Sequence, residues 1–190
     1  FDRERNGLSL GEGAALLVLM DEDEACRNSR AHLGTVLGWG VANDAGHITA
    51  PARDGRGLVQ AIQQALEKTG LQEDQISSIS AHGTGTIYND LMELRAFRKV
   101  FGKQKIPVHS VKGSIGHTMG AAGGIEVALG IKTLLEQTAP PTVGFLSPEK
   151  GSEGLVSPHP VAISGDYLLT TNSGFGGINA AIILKKGGVP

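Results

Sequence analysis

Ile76-Ser77-Ser78-Ile79-Ser80-Ala81-His82-Gly83-Thr84-Gly85-Thr86 carries a short apolar strand straight into an imidazole framed by glycines and threonines. A helical pattern opens just beyond, at Asn89-Asp90, so the histidine stands at a strand-to-helix junction. Glycine lets the backbone approach a ligand or take φ > 0, and threonine offers short, stiff hydroxyls. Such a frame suits a reaction centre better than a core. Further on, Lys112-Gly113-Ser114-Ile115-Gly116-His117 repeats the theme where a second apolar run meets a helix. Two histidines, a lysine and a glycine-rich frame predict that these strand ends build one active site.

The flanking sequence supplies the layers around that junction. Residues 14–19 form a near-continuous apolar run of strand length, the pattern of a strand covered on both faces. A charged helix follows at 21–29. Residues 33–41 read as a strand whose Gly34, Gly38 and Gly40 permit close approach by a neighbour. The stretch 42–56, with Asn43-Asp44-Ala45-Gly46-His47 and Pro51, is a long loop of the kind that often carries function. Leu58, Ile62, Leu66 and Thr69 mark an amphipathic helix over 57–69, stopped by Gly70.

Beyond the junction, a helix at 90–101 places Leu91, Leu94, Phe97 and Phe101 on one face, with Asp90 and Glu93 in its first turn. A strand at 106–111 precedes a helix at 119–137 that is apolar nearly all round in its first half, hence buried. Pro140-Pro141 ends it. Residues 155–163, 167–171 and 180–186 read as strands, the last after the turn Gly174-Phe175-Gly176-Gly177. Alternating strands and helices around a buried helix predict one α/β domain over 1–190 with a layered sheet.

Bulk properties narrow the function. A chain of 190 residues can bury a proper core, and its net charge of −2 gives no argument for nucleic acid or an anionic membrane surface. No apolar stretch reaches the ~18 residues of a membrane span. The opening Phe1-Asp2-Arg3-Glu4-Arg5 is neither an initiator methionine nor a signal peptide, and reads as part of something longer or as one subunit of a divided protein. Cys26 is the single cysteine, so no intrachain disulfide forms and a reducing, cytoplasmic setting is expected. Asp21, Glu22, Asp23 and Glu24 precede it, the opposite of the electropositive niche a reactive thiolate needs, and Cys26 reads as structural.

The chemistry then rests on few residues. His82 is flanked by backbone amides and two hydroxyls. His117 lies just before the helix at 119, where free amides disfavour imidazolium and keep a neutral N–H donor that can stabilise a developing oxyanion. Lys112, at a strand end, needs a carboxylate if buried, and Glu93 is a plausible partner. Asn172-Ser173-Gly174-Phe175-Gly176-Gly177-Ile178-Asn179 is a third glycine-rich turn whose amides can serve as oxyanion donors. It is not a dinucleotide fingerprint, because a strand follows it. Metal-ligand spacing is absent. His32, His47, His109 and His159 carry no supporting pattern and read as surface or structural.

In this order the motifs resemble the β-ketoacyl synthases, the condensing enzymes of fatty-acid and polyketide synthesis. The resemblance rests on Phe1-Asp2-x-x-Arg5-x-Gly7, Gly11-Glu12-Gly13-Ala14, Ala81 to Thr86, Asp90-x-x-Glu93, Lys112-Gly113-x-x-Gly116-His117-Thr118, Gly120-Ala121-Ala122-Gly123 and Gly174-Phe175-Gly176-Gly177-x-Asn179. It implies the C-terminal half of a thiolase-like, five-layer αβαβα fold, in an enzyme that dimerises with itself or with a partner subunit. By the same resemblance His82, His117 and Lys112 are catalytic. The two imidazoles donate to the enolate formed when malonyl-(acyl carrier protein) loses its carboxylate, and the acyl chain rides on a cysteine of the N-terminal half. Thr84 and Thr86 match positions contacting the phosphopantetheine arm of acyl carrier protein, the Ser173 amide matches an oxyanion donor, Phe175 belongs to the same substrate-binding turn, and Asp90 and Glu93 are supporting residues. No cofactor beyond that carrier arm is implied.

Two departures stand out. Cys26 does not match the family's nucleophile, so the isolated chain is expected to be inactive. Ser173 also occupies the place where many relatives carry an aromatic gate, which implies an altered substrate or initiation step. The alternative implied by the resemblance is a non-catalytic partner of the chain-length-factor type. A thiolase is disfavoured, since its second catalytic cysteine has no match here.

Overall fold

The computed structural model describes residues 1–27 and 31–188, the side chain of Cys26 excepted, so the structural reading of that thiol lies outside the described residues. Helix α1 (Glu22–Arg27) is the described part of the charged helix. Strand β1 (Gly34–Asn43) then meets helix α2 (Arg56–Thr69) across the expected glycines. A Cβ at Gly40 would sit 2.0 Å from the Ala61 carbonyl oxygen, so the helix lies directly on the strand backbone only because no side chain stands there. Leu58, Ala61, Ile62, Ala65 and Leu66 form the buried stripe of α2, and Gly70 closes it in the left-handed conformation.

Strand β2 (Ile76–Ser80) follows, then helix α3 (Ile87–Phe101), which starts three residues before the expected position. Strand β3 contracts to Val108–His109, because the chain turns at Ser110 into the short helix α4 (Lys112–Ile115). Helix α5 (Ala122–Glu136) is preceded by a 3-10 turn at Met119–Ala121. Of the expected strand at 155–163 only β5 (Val161–Ala162) pairs, with β4 (Thr138–Ala139), since Pro158 and Pro160 lack the N–H groups a ladder needs. Strands β6 (Tyr167–Gly174) and β7 (Ile178–Lys186) close the chain as a hairpin.

The main sheet runs β1-β7-β6-β2-β3. Its β1, β7 and β6 are antiparallel neighbours, whereas β2 lies parallel to both β6 and β3. Alternation divides the side chains: Ile79, Leu169 and Ile183 face the core under α2 and α3, while Leu168 and Leu184 pack with Val127 and Leu134 of α5. The parallel trio points one way, so its three C-terminal ends deliver His82, Ser110 to Lys112, and Thr171 to Asn172 to one rim of the sheet. In open α/β sheets that rim is where ligands bind.

Two sequence expectations fail inside this chain. Residues 14–19 belong to no strand, and Leu16 and Val18 are 99 % and 92 % exposed, because no described strand offers them a ladder. The apolar helix is only half covered: Glu126, Val127, Gly130, Thr133 and Leu134 are buried, but Met119 and Leu135 face outward.

One register row has consequences for acid stability. His109 pairs with Ser80, which pairs with Thr170, and both imidazole nitrogens and both hydroxyls are buried without a hydrogen-bond partner among the described residues. Burial pushes the His109 pKa down to about 4. The unfolded imidazole takes its proton near 6.5 while the folded one refuses it, so His109 destabilises the fold progressively as pH drops from 6.5 through 4. Urea unfolding of wild type and His109→Phe at pH 7 and pH 4 should show the variant losing roughly 3 kcal/mol less over that interval. Equal losses would mean that His109 does not carry the effect.

Candidate active site

Beyond β2 the chain turns at Gly83, whose φ is +43° and whose added Cβ would lie 2.5 Å from that of Ser110. Glycine there lets the exits of β2 and β3 touch, and Ser110 Oγ donates to the Gly83 carbonyl at 2.9 Å. Glu93, fully buried on α3, holds the turn from below. It accepts from the amides of His82 (2.8 Å) and Gly83 (2.7 Å), from Asn89 Nδ2 (2.8 Å) and from Thr171 Oγ1 (3.3 Å). Burial, and then the neighbouring Asp90, still push its pKa up to about 7. Asp90 accepts from the Gly85 amide at 3.2 Å and lies 3.4 Å from Arg5 Nε. These two carboxylates fix the backbone of the histidine turn.

The lysine is buried, and its partner is Glu126 of α5 rather than Glu93, whose oxygens are occupied by amides and side-chain donors. Lys112 Nζ also lies 3.4 Å from His82 Nδ1. Asn172 Nδ2 donates to the other Glu126 oxygen at 2.7 Å, while its Oδ1 lies 3.2 Å from the same His82 nitrogen. Lys112, Glu126, Asn172 and His82 thus close a ring of polar contacts behind the strand ends. Burial raises the Glu126 pKa, with Lys112 and Asn172 opposing it.

Both histidines are held as neutral rings. Burial first, then the charges of Lys112 and His117, bring the His82 pKa down to about 3, with the Asn172 contact pulling the other way. The His117 pKa is lowered by burial and then by Lys112. α5 begins only at Ala122, so burial and Lys112 replace its N-terminus as the causes. His117 Nδ1 accepts from the Met119 amide at 3.1 Å, and its backbone is strapped to Ser9 and Gly11 at 2.7 and 3.0 Å. The two rings meet edge to face, 5.2 Å apart at 83°.

Beside His117 a cavity of about 640 Å³ is lined by Arg5, Thr84, Lys112, His117 and Phe145 among others, with buried His82 set behind that lining. Thr86 stands outside that lining but shares a 2.8 Å hydrogen bond with Thr84 through their hydroxyls. Ser173 and Phe175 are further off. The Ser173 hydroxyl donates to Asn179 Oδ1 at 2.7 Å, and the Phe175 ring is exposed on the β6–β7 turn. The structure therefore gathers His82, His117, Lys112 and Thr84, and leaves Phe175 outside. Sequence reasoning missed Glu126 and Asn172. A lone carboxylate inside an apolar helix was a visible signal for the first, since such a group is rarely buried without a partner.

Residues 33–146 match the family described as β-ketoacyl synthase, C-terminal domain. The 3-oxoacyl-[acyl-carrier-protein] synthase 2 of Synechocystis is 36 % identical over 98 % of this chain and 45 % of its own length, so the chain spans about half of that relative. An ishigamide ketosynthase/chain length factor structure superposes with TM-score 0.92 at 34 % identity, covering 98 % of this chain and 46 % of that one. A type II polyketide-synthase acyl-carrier protein in complex with its ketosynthase bound to the hexaketide gives TM-score 0.92 at 28 % identity, with the same coverages.

The ring makes a stability prediction. Glu126→Leu strands the Lys112 ammonium and should cost about 3–5 kcal/mol in urea unfolding, and adding Lys112→Met should restore most of it. Additive losses in the double variant would mean that the two side chains do not interact.

Proposed function

Because the chain belongs to the β-ketoacyl synthase family, whose C-terminal domain it carries, we propose that it supplies the histidine–lysine half of a decarboxylative condensing site. Loss of carbon dioxide from a malonyl thioester leaves the electron pair of the broken C–C bond in an enolate whose charge collects on the thioester oxygen. A neutral N–H donor lowers the energy of that oxyanion without first giving up a proton. His117 is such a donor, since its Nδ1 accepts from the Met119 amide and leaves the hydrogen on Nε2. The enolate carbon then attacks an acyl thioester, forming the new C–C bond as the cysteine thiolate leaves. That cysteine belongs to the half of the enzyme outside this chain.

The observation carrying this reading is the edge contact of two neutral imidazoles beside the buried Lys112–Glu126 pair, at the rim where three parallel strands end. Thr84 lines the cavity, with Thr86 hydrogen-bonded to it, and the pair suits the phosphopantetheine arm of an acyl carrier protein. The exposed run at 14–19 and the bare side of α5 suit the N-terminal half of the synthase or a partner subunit, in a homo- or heterodimer. Among the described residues no helix is long and apolar enough to cross a membrane. Likeness to a ketosynthase/chain length factor raises a second reading, a non-catalytic partner. The intact ring of Lys112, Glu126, Asn172 and His82 favours catalysis, because a scaffold has no use for a buried ion pair aimed at an imidazole.

Malonyl decarboxylation by the intact synthase tests the assignment. His117→Ala should lower it about 10²- to 10³-fold, the loss typical of one oxyanion donor. An unchanged rate removes His117 from the reaction.

A further inference from the structure

The ring behind the strand ends contains a conflict over one atom. Asn172 Oδ1 and Lys112 Nζ both approach His82 Nδ1, at 3.2 and 3.4 Å. An ammonium can only donate, so a bond from Lys112 requires a bare Nδ1 and places the ring hydrogen on Nε2. A carbonyl oxygen can only accept, so a bond to Asn172 requires the hydrogen on Nδ1 and leaves Nε2 with a lone pair. Neutral His82 satisfies one of them.

Which way the amide faces is settled next door. Glu126 receives the Lys112 ammonium on one oxygen and is therefore a carboxylate, an acceptor only. Its other oxygen takes a hydrogen from Asn172 at 2.7 Å, which can come only from the Nδ2 end of the amide. The Oδ1 end must then face His82, at the shorter of the two competing distances. Lys112 keeps its charge-assisted bond to Glu126 and stands beside Nδ1 without bonding to it. At His117 the opposite holds, because a backbone amide donates to Nδ1 and fixes the hydrogen on Nε2.

We propose that Asn172 is a positioning residue that fixes His82 as the Nδ1–H tautomer, so that the two facing imidazoles carry opposite polarity, His117 a donor and His82 an acceptor. This rests on the condensing-site reading and sharpens it. The expectation of paired donors narrows to one donor, and His82 offers its Nε2 lone pair to a hydrogen on the substrate or on a water. Opposite tautomers supply a donor and an acceptor from the same residue type, and the choice is made by the carboxamide that opens the glycine-rich turn, between Thr171 and Ser173.

The tautomer is read directly in the resting enzyme by long-range proton–nitrogen correlation spectra of the intact synthase labelled with [15N]histidine, with His82→Gln identifying the signal. Wild type should show His82 protonated on Nδ1 and His117 on Nε2. In Asn172→Leu the lysine is the sole neighbour of Nδ1, and the His82 hydrogen should move to Nε2 while His117 stays unchanged. Malonyl decarboxylation in that variant should fall about 10²-fold in kcat with KM unchanged. Asn172→Asp, which still presents an acceptor, should keep the wild-type tautomer. A wild-type His82 protonated on Nε2 overturns the proposal without any variant having to fold, as does an Asn172→Leu spectrum identical to wild type. Neither result depends on turnover, so an enzyme that proves inactive toward malonyl thioesters would sink the condensing-site reading and leave the tautomer assignment standing.

Discussion

The ammonium of Lys112, buried at the start of α4, is the constraint around which the site is arranged. An isolated interior charge is untenable, and the cost falls only if a carboxylate arrives with good geometry and its remaining lone pairs are filled. Glu126 arrives from α5, the helix on one face of the sheet, and Asn172 from β6 fills its second oxygen. α4, α5 and β6 are thereby tied at one point beneath His82. The same tie fixes the imidazole's electrostatic setting, since burial and the lysine's charge together keep it neutral. Glu93 does parallel work from α3 on the other side of the turn, holding the backbone rather than the ring.

Much of this was legible in the sequence where local pattern decides the structure. Glycines at 38 and 40 announced the helix–strand contact and the apolar spacing of α2 its buried face, and the two histidines singled out by their glycine frames lie ring against ring in the candidate site. What failed to read locally was what depends on another element. The run at 14–19 has the composition of a two-sided strand, but a strand needs a ladder, and among the described residues it finds none. The helix at 119–137 looks wholly buried by composition and is buried on one side only. β3 shrank because Ser110 and Lys112 are turned toward the histidine loop. The partner of Lys112 could not be chosen by sequence spacing, because Glu93 and Glu126 are both acids on helices, and only packing shows that the amides of His82 and Gly83 had already claimed Glu93.

Those failures are informative together. The uncovered strand-like run is an apolar surface of the kind a second protein layer covers, the exposed side of α5 adds Leu135 beside the Lys132–Glu136 pair, and the relative from Synechocystis is about twice the chain's length. The condensing-site reading explains both at once: the nucleophile and the missing layer come from the same place. Asn172 shows the limit of motif reasoning from the other side. It sits inside a glycine-rich turn noticed for its backbone, yet its side chain is what decides which nitrogen of His82 carries the proton.

The central claim is that this chain supplies half of a condensing site whose nucleophile lies elsewhere in the same enzyme. Mapping the acylated residue by mass spectrometry, after the intact protein is charged with an acyl thioester, tests it most directly. The acyl group should be found on a cysteine outside these 190 residues, as a thioester that disappears on addition of malonyl-carrier protein. An acyl group on Cys26, or no acyl-enzyme at all, would contradict it.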